Sequence, residues 1–340
     1  MQHTLIIAEA GVNHNGDIEL AKKLIDAAAE AGADYVKFQT FKTENIVSPV
    51  AAKAEYQKAN MKADASETQF NMLKKLELSP GDHQVLIEHC KNKNIRFLST
   101  AFDLQSIDLL CSLGGDLFKI PSGEITNYPY LKKIGALNKK VILSTGMCVM
   151  EEISEAIDLI ERSGTKRENI SVLHCTTDYP TAMQDVNLKA MQNIHETFNL
   201  DAGYSDHTLG IEVSIAAVAM GATIIEKHFT LDRQMEGPDH KASLEPGELK
   251  AMVLAIRNIE KALGSKEKKP GAAEIKNKLI ARKSIHVSKN MKAGDIIAED
   301  MLISLRPGDG ISPMLWETVI GKKIKKDLEA GTKLTPEDFG

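Results

Sequence analysis

Eight short apolar runs alternate with helix-like stretches along residues 1–264, and this rhythm leaves few folds open to the chain. The strand candidates are Leu5–Ala8, Tyr35–Gln39, Arg96–Ser99, Leu117–Ile120, Val141–Ser144, Ser171–His174, Ala202–Ser205 and Thr223–Glu226. Most are continuously apolar with a polar residue only at the C-terminal end, the pattern of parallel strands buried on both faces. Between them, Asp17 can cap a helix that places Ile18, Ala21, Leu24, Ile25 and Ala28 on one face. Further helices are expected over 80–93, 104–113, 151–162, 187–198, 210–221 and 245–263, several stopping near Gly32, Asn94, Gly114 or Gly164. Size and rhythm fit a (β/α)8 TIM barrel. An open doubly wound sheet is the competitor, but the chain after the first strand reads Glu9-Ala10-Gly11-Val12-Asn13-His14, without GxGxxG spacing. The insertion from Thr43 to Gln69 reads as a mobile flap over the rim.

Residues 265–282 read as a charged linker containing proline and glycine, and residues 283–340 as a small β-rich domain. Its strand-like pieces are Ser284–Val287, Asp295–Ile297, Met301–Ser304, Val319–Ile324 and Lys333–Leu334. An internal echo runs through it: Lys-Ala-Gly-Asp-Ile-Ile-Ala-Glu-Asp from Lys292 answers Glu-Ala-Gly-Thr-Lys-Leu-Thr-Pro-Glu-Asp from Glu329. A module this small is near the lower limit of independent stability and leans on a partner surface.

Charged residues make up 26% of the chain and the net charge is −5, with no basic stripe, which argues against nucleic acid as a partner. No apolar run approaches the roughly 20 residues of a membrane span. The first strand starts almost at once, leaving no room for a signal peptide. Cys90, Cys111, Cys148 and Cys175 are widely spaced, as reduced thiols of a cytoplasmic enzyme would be.

A barrel of this kind carries its chemistry at the C-terminal ends of its strands. Read in order, those ends supply Glu9, Lys37 with Gln39, Ser99-Thr100, Lys119 with Ser122 and Glu124, Ser144-Thr145, Thr176-Thr177, Ser205 with His207, and Glu226 with His228. Two lysines among several hydroxyls make an anion pocket for phosphate oxygens, because a buried lysine without a partner is costly. Either Lys37 or Lys119 also suits a Schiff-base aldolase. Histidines ending two consecutive strands, His207 and His228, are read as ligands of one metal ion, with positions left for water and substrate. His83, His89, His174 and His195 read as structural, His14 stays ambiguous, and Asp239 lies within reach of the site.

These segments, in this order, resemble the sialic acid synthase family. The likeness rests on Ala8–His14, Val36–Gln39, Ser99–Phe102, Lys119–Glu124, Leu143–Met147, His174–Thr176, Ser205–Thr208, Glu226–Thr230 and the tail Leu305-Arg306-Pro307-Gly308 with Gly310. It implies a barrel followed by an antifreeze-like (SAF) domain. It also implies condensation of phosphoenolpyruvate with N-acetylmannosamine, with legionaminic or pseudaminic acid synthesis from a diacetamido hexose as the alternative. On this likeness a divalent ion, typically Mn²⁺, with Mg²⁺ or Co²⁺ as substitutes, sits on His207 and His228. Lys37, Thr100, Lys119, Ser122, Ser144, Thr177 and Ser205 correspond to groups that hold phosphoenolpyruvate. Gln39, Tyr179, Asp239 and Glu9 correspond to groups around the sugar. Glu124 corresponds to a carboxylate handling water and proton transfers, Glu226 stands beside the metal, and these two with Glu9 are the candidate catalytic carboxylates. The likeness further implies a domain-swapped homodimer in which Arg306 reaches the acylamino group across the interface. Ala101 and Thr177 depart from the pattern, standing where some members have proline and asparagine.

Overall fold

The computed structural model describes residues 3–48 and 68–340; the middle of the expected flap, residues 49–67, lies outside the described residues. The chain divides into two compact units, Met1–Gly264 and Ser265–Gly340. In the first, eight parallel strands close into a barrel in sequence order, β1 pairing with both β2 and β8. The strands are β1 Leu5–Gly11, β2 Tyr35–Thr40, β3 Arg96–Ala101, β4 Leu117–Ile120, β5 Lys140–Ser144, β6 Ile170–Cys175, β7 Asp201–Asp206 and β8 Ile224–His228. Each contains or closely overlaps the run read from the sequence.

Side chains alternate across each strand, and the two faces have different tasks. Outward residues such as Ile6, Ala8, Val36, Phe38 and Ile225 pack against the surrounding helices in one core, and Val141, Leu143 and Val172 in another. Inward, Ile7, Tyr35, Leu98, Ile142, Leu173 and Ile224 fill the barrel with an apolar layer. Two positions further along the same faces come Glu9, Lys37, Thr100, Ser144, Cys175 and Glu226. The barrel is therefore plugged below and polar above, the layers about 6.6 Å apart by strand rise.

The helices start and stop where local chemistry dictates. Asp17 accepts from the backbone N–H of Glu19 and Leu20, capping the helix Ile18–Ala31. The expected stops Gly32, Asn94, Gly114 and Gly164 all have positive φ. The helix Tyr128–Ala136 escaped the sequence reading. Pro129 masks it as a breaker although it sits in the first turn, where proline is tolerated. Gly135 masks it again. A Cβ there would lie 2.6 Å from Ser163 Cβ and 2.7 Å from Ile160 O of the neighbouring helix, so the position must stay small.

The second unit is built differently from the expected string of strands. Only Ser284–Val287 and Leu302–Leu305 form a ladder, antiparallel, with Leu302 opposite Val287. The pieces at 295–297, 323–324 and 333–334 contribute single bridges: Ile296 to Lys323, Ile324 to Phe339 and His286 to Lys333. Val319 ends a short helix, Trp316–Val319. The sequence echo is structural: Gly294 and Gly331 both have positive φ, Ile297 and Leu334 are both buried, and 3-10 turns follow at Glu299–Met301 and Pro336–Asp338. The presumed linker is corrected in part, since Ala272–Ala281 is helical. Its Leu279 and Ala281 carbonyls accept from Gly308 N–H and Arg306 Nε–H.

Gly135→Ala sets helix propensity, worth about 1 kcal/mol in favour of alanine, against overpacking, which costs about 1–3 kcal/mol. Overpacking wins, so the urea midpoint of the variant falls; an unchanged or higher midpoint contradicts this packing.

Candidate active site

The C-terminal mouth of the barrel opens into a cavity of about 540 Å³. It is lined by Glu9, Lys37, Gln39, Thr100, Lys119, Ser122, Glu124, Ser144, Thr177, Tyr179, Ser205, His207, Glu226, His228 and Asp239. The strand-end hydroxyls of Ser99, Thr145 and Thr176 instead turn away to Thr40 Oγ1, Leu173 O and Asp185 O. Arg306 belongs to the second unit, where it is exposed.

At the floor, Glu226 ties three strands together. Its Oε2 lies 2.9 Å from Lys37 Nζ, and its Oε1 accepts from Lys119 Nζ at 2.8 Å and from Ser205 Oγ at 2.9 Å. Lys37 Nζ also lies 3.0 Å from Glu9 Oε1. All four ionic groups are buried. Burial works hardest against the charge on Lys37, yet Glu226 and Glu9 overcome it and hold the ammonium above its ordinary range. Burial likewise opposes the Glu226 carboxylate, and Lys119 with Lys37 overcomes it and holds that group below its ordinary range. Lys119 goes the other way: burial lowers it, Glu226 offsets only part, and Lys37 adds repulsion. Lys37 is thus fixed as an ammonium, a poor Schiff-base nucleophile.

Beside the lysines, Thr100 Oγ1 and Ser144 Oγ are buried without a hydrogen-bond partner. Ser122 Oγ accepts from Gly146 N–H at 2.8 Å and lies 3.3 Å from Cys175 Sγ. Gly146 received no role from the sequence, yet it shapes this wall. A Cβ there would come within 2.2 Å of Thr177 Oγ1 and 2.9 Å of Ser122 Oγ. Two ammoniums flanked by free hydroxyls form a pocket for an oxyanion.

The two histidines stand next to it, ring centroids 5.7 Å apart. One ion can touch both, given metal–imidazole bonds of about 2.1 Å. His207 Nδ1–H donates to Thr176 O at 2.6 Å, which leaves Nε2 with the lone pair. Burial, with His228 close by, pushes the His207 imidazole down to about 4, so the ring is neutral near pH 7. His228 Nδ1 is buried without a hydrogen-bond partner, and Nε2 lies 3.3 Å from Glu9 Oε2. Among the described residues no three His, Cys, Asp or Glu side chains converge into a closed cage. The fit to an ion rests instead on the two rings themselves: the His207 Nε2 lone pair and the unpartnered His228 Nδ1 are nitrogens able to bind one, with other positions open to ligands. Glu9 stands beside His228, and Glu226, which pairs with the lysines, also accepts from Ser205 Oγ, itself 3.4 Å from His207 Nε2. Tyr179 packs its ring 4.1 Å from that of His207, and Asp239 Oδ2 is 4.0 Å from His228 Nδ1. Burial pushes the Asp239 carboxyl up. Glu124 sits on the Ser122–Glu124 turn and accepts from Asn127 Nδ2.

The remaining histidines are structural where the sequence reading placed them so. His83 bonds Thr40 Oγ1 and Ser79 O, His89 bonds Asp26, His174 bonds Val186 O and His195 bonds Leu200 O. All four cysteines are free.

Behind the histidines lies a pair that the sequence reading missed, Asp206 and Lys227, each immediately beside a candidate ligand. Both are 0% exposed at the side chain, with Nζ 2.9 Å from Oδ2. Asp206 also accepts from Thr208 N–H, Thr208 Oγ1 and Ser214 Oγ, while Lys227 donates to Thr208 O. Period-two alternation was the available signal: His207 and His228 face inward, so their neighbours face the helices. The pair pins β7 to β8 directly behind the imidazoles. Asp206→Ala strands a buried ammonium and lowers unfolding free energy by about 3–5 kcal/mol. Adding Lys227→Met recovers most of the loss in chemical denaturation; an equally unstable double variant contradicts the pairing.

A model described as the NeuB family matches residues 24–268, and one described as the SAF domain matches residues 282–340. The chain is 57% identical to the N,N'-diacetyllegionaminic acid synthase of Campylobacter jejuni over 97% of this chain and 98% of that one. It is 51% identical to the synthase of the same name from Legionella pneumophila, over 97% and 92%. Among solved structures, the N-acetylneuraminic acid synthetase of Leptospira borgpetersenii superposes with a TM-score of 0.70 at 35% identity, covering 81% of this chain and 90% of that one.

Proposed function

The chain belongs to the NeuB family, and on that premise we propose that it condenses phosphoenolpyruvate with a 2,4-diacetamido hexose and water, releasing phosphate and a nine-carbon acid of the legionaminic type. The observation that carries the reaction class is the side-by-side pairing of an ammonium-and-hydroxyl pocket with two imidazoles at one barrel mouth. The sugar reading rests on the two relatives of 57% and 51% identity, both named for N,N'-diacetyllegionaminic acid. It replaces N-acetylmannosamine, which the sequence put first.

In this reading Lys37 and Lys119, with Thr100, Ser122, Ser144 and Thr177, bind the phosphate and carboxylate of phosphoenolpyruvate. Glu226 pairs with both buried lysines, and Ser205 steadies Glu226. His207 and His228 would hold a divalent ion, Mn²⁺ foremost, which when bound supplies Lewis-acid polarisation of the sugar aldehyde. Gln39, Tyr179, Asp239 and Glu9 orient the open-chain hexose. Carbon 3 of phosphoenolpyruvate bonds to the aldehyde carbon, and the positive charge left at carbon 2 is met by water. Glu124 takes the proton from that water, and the former aldehyde oxygen, left as an alkoxide, takes up one proton to become a hydroxyl. The tetrahedral carbon then becomes the ketone as its C–O bond to phosphate breaks and its hydroxyl proton leaves with the phosphate. Fixing both substrates in one geometry is worth roughly 7–11 kcal/mol of barrier.

Part of the site belongs to a second copy. We read the protein as a domain-swapped homodimer in which the small domain of one subunit covers the other's barrel and supplies Arg306 to the acylamino group. The exposed apolar residues Ile275, Leu279, Ile280 and Met314 support a covered surface on the second unit. Mixing Arg306→Ala and Glu124→Ala proteins restores activity that neither has alone; no restoration removes the swap.

Phosphate release from phosphoenolpyruvate, assayed with a panel of mono- and diacetamido hexoses, tests the reading. Release is expected with the 2,4-diacetamido sugar, is abolished by exhaustive chelation and returns with Mn²⁺. Glu124→Ala lowers kcat by about 10²–10⁴-fold. A borohydride-trapped pyruvate adduct on Lys37 or Lys119, or full activity after chelation, overturns it.

A further inference from the structure

The cavity is graded from floor to mouth. Along β2 and its extension, Lys37, Gln39 and Phe41 follow each other at two-residue steps and all line it, so one wall runs from ammonium to amide to aromatic ring. β3 repeats the sense with Thr100 and then Phe102. Phe41 and Phe102 meet edge to face, centroids 6.4 Å apart. Ile46, Val47 and Leu73, from the short helices Thr43–Ile46 and Gln69–Lys74 and the residue after the first, complete an apolar upper wall. Ile46, Leu73 and Phe102 pack on a buried cluster of Val12, Phe41 and Leu76, so the wall is backed. Among the described residues, Lys42 and Lys74, on the segments that carry it, are paired with Glu44 and Glu77.

We infer that this wall, made by Phe41, Ile46, Val47, Leu73 and Phe102, is the specificity element for the far end of the sugar, selecting a hexose with a second acetamido group on a distal carbon over one with a hydroxyl or phosphate there. The inference rests on the proposed reaction. Bond formation at the sugar's first carbon takes place at the ionic floor, so its distal carbons extend toward the mouth. An acetamido methyl removes apolar surface from water against this wall. A hydroxyl gains nothing from it. A phosphate would be desolvated against apolar side chains, with the lysines of the described segments already paired.

The test compares kcat/KM for three sugars, a 2,4-diacetamido hexose, N-acetylmannosamine and its 6-phosphate, by phosphate release. The wild type prefers the first and uses the third least. In Leu73→Asn and Ile46→Asn, both at partly exposed positions, the ratio of the first to the second falls by about tenfold. In Leu73→Met it holds within about twofold, as a volume-conserving apolar swap should. Thermal melts confirm that each variant is folded. A wild type with no preference, or one favouring the monoacetamido or phosphorylated sugar, overturns the wall's role and leaves the reaction class intact. An unchanged ratio in both asparagine variants does the same. A wild type that releases no phosphate with any hexose overturns the reaction and this inference together.

Discussion

One carboxylate, that of Glu226, makes the rest of this site physically admissible. Two ammoniums at a barrel floor each carry a desolvation cost of several kcal/mol, and they repel each other. Glu226 meets both within 3 Å, one on each oxygen, and Glu9 takes the remaining approach to Lys37. The three principal charges come from β2, β4 and β8, elements far apart along the chain. Only a closed ring of strands brings them together without long side-chain excursions. The same closure places His207 and His228 side by side next to the lysines, ring centroids 5.7 Å apart.

Electrostatics and packing then divide the cavity. The ionic floor is stiff because each group is held by a partner it cannot lose cheaply. Behind it, Asp206 and Lys227 lock β7 to β8 in a second ion pair wholly shielded from solvent. Above it the wall becomes apolar, and recognition there depends on surface removed from water rather than on charge. The ionic groups and the apolar wall thus stand at different heights of one cavity.

Much of this was legible in the order of residues because a parallel barrel writes its architecture into strand ends. Apolar runs terminating in Lys119, Ser144 or His228 disclosed both the fold and the rim. What stayed hidden depends on distance in space. The likeness sets Glu226 beside the metal; that two opposing lysines meet it on the barrel floor, and that Glu9 of the adjacent strand approaches His228, follows only from closure of the ring. Gly146 carries no side chain to announce a role, and only the packing of Ser122 and Thr177 hydroxyls against it gives one. The helix Tyr128–Ala136 was concealed by a proline and a glycine whose reasons are positional. In the second unit, single bridges replaced most of the expected strands, because a small core around Ile285, Val287 and Leu334 needs few ladder bonds.

The central claim is that His207 and His228 share one cation beside an anion pocket held open by Glu226. Electron spin-echo spectroscopy of Mn²⁺ added to the metal-free protein reads this directly, through nitrogen couplings to the ion. The account predicts one bound ion per chain coupled to two imidazole nitrogens, falling to one in either His207→Ala or His228→Ala. Binding without nitrogen coupling, or coupling unchanged by loss of either histidine, contradicts it.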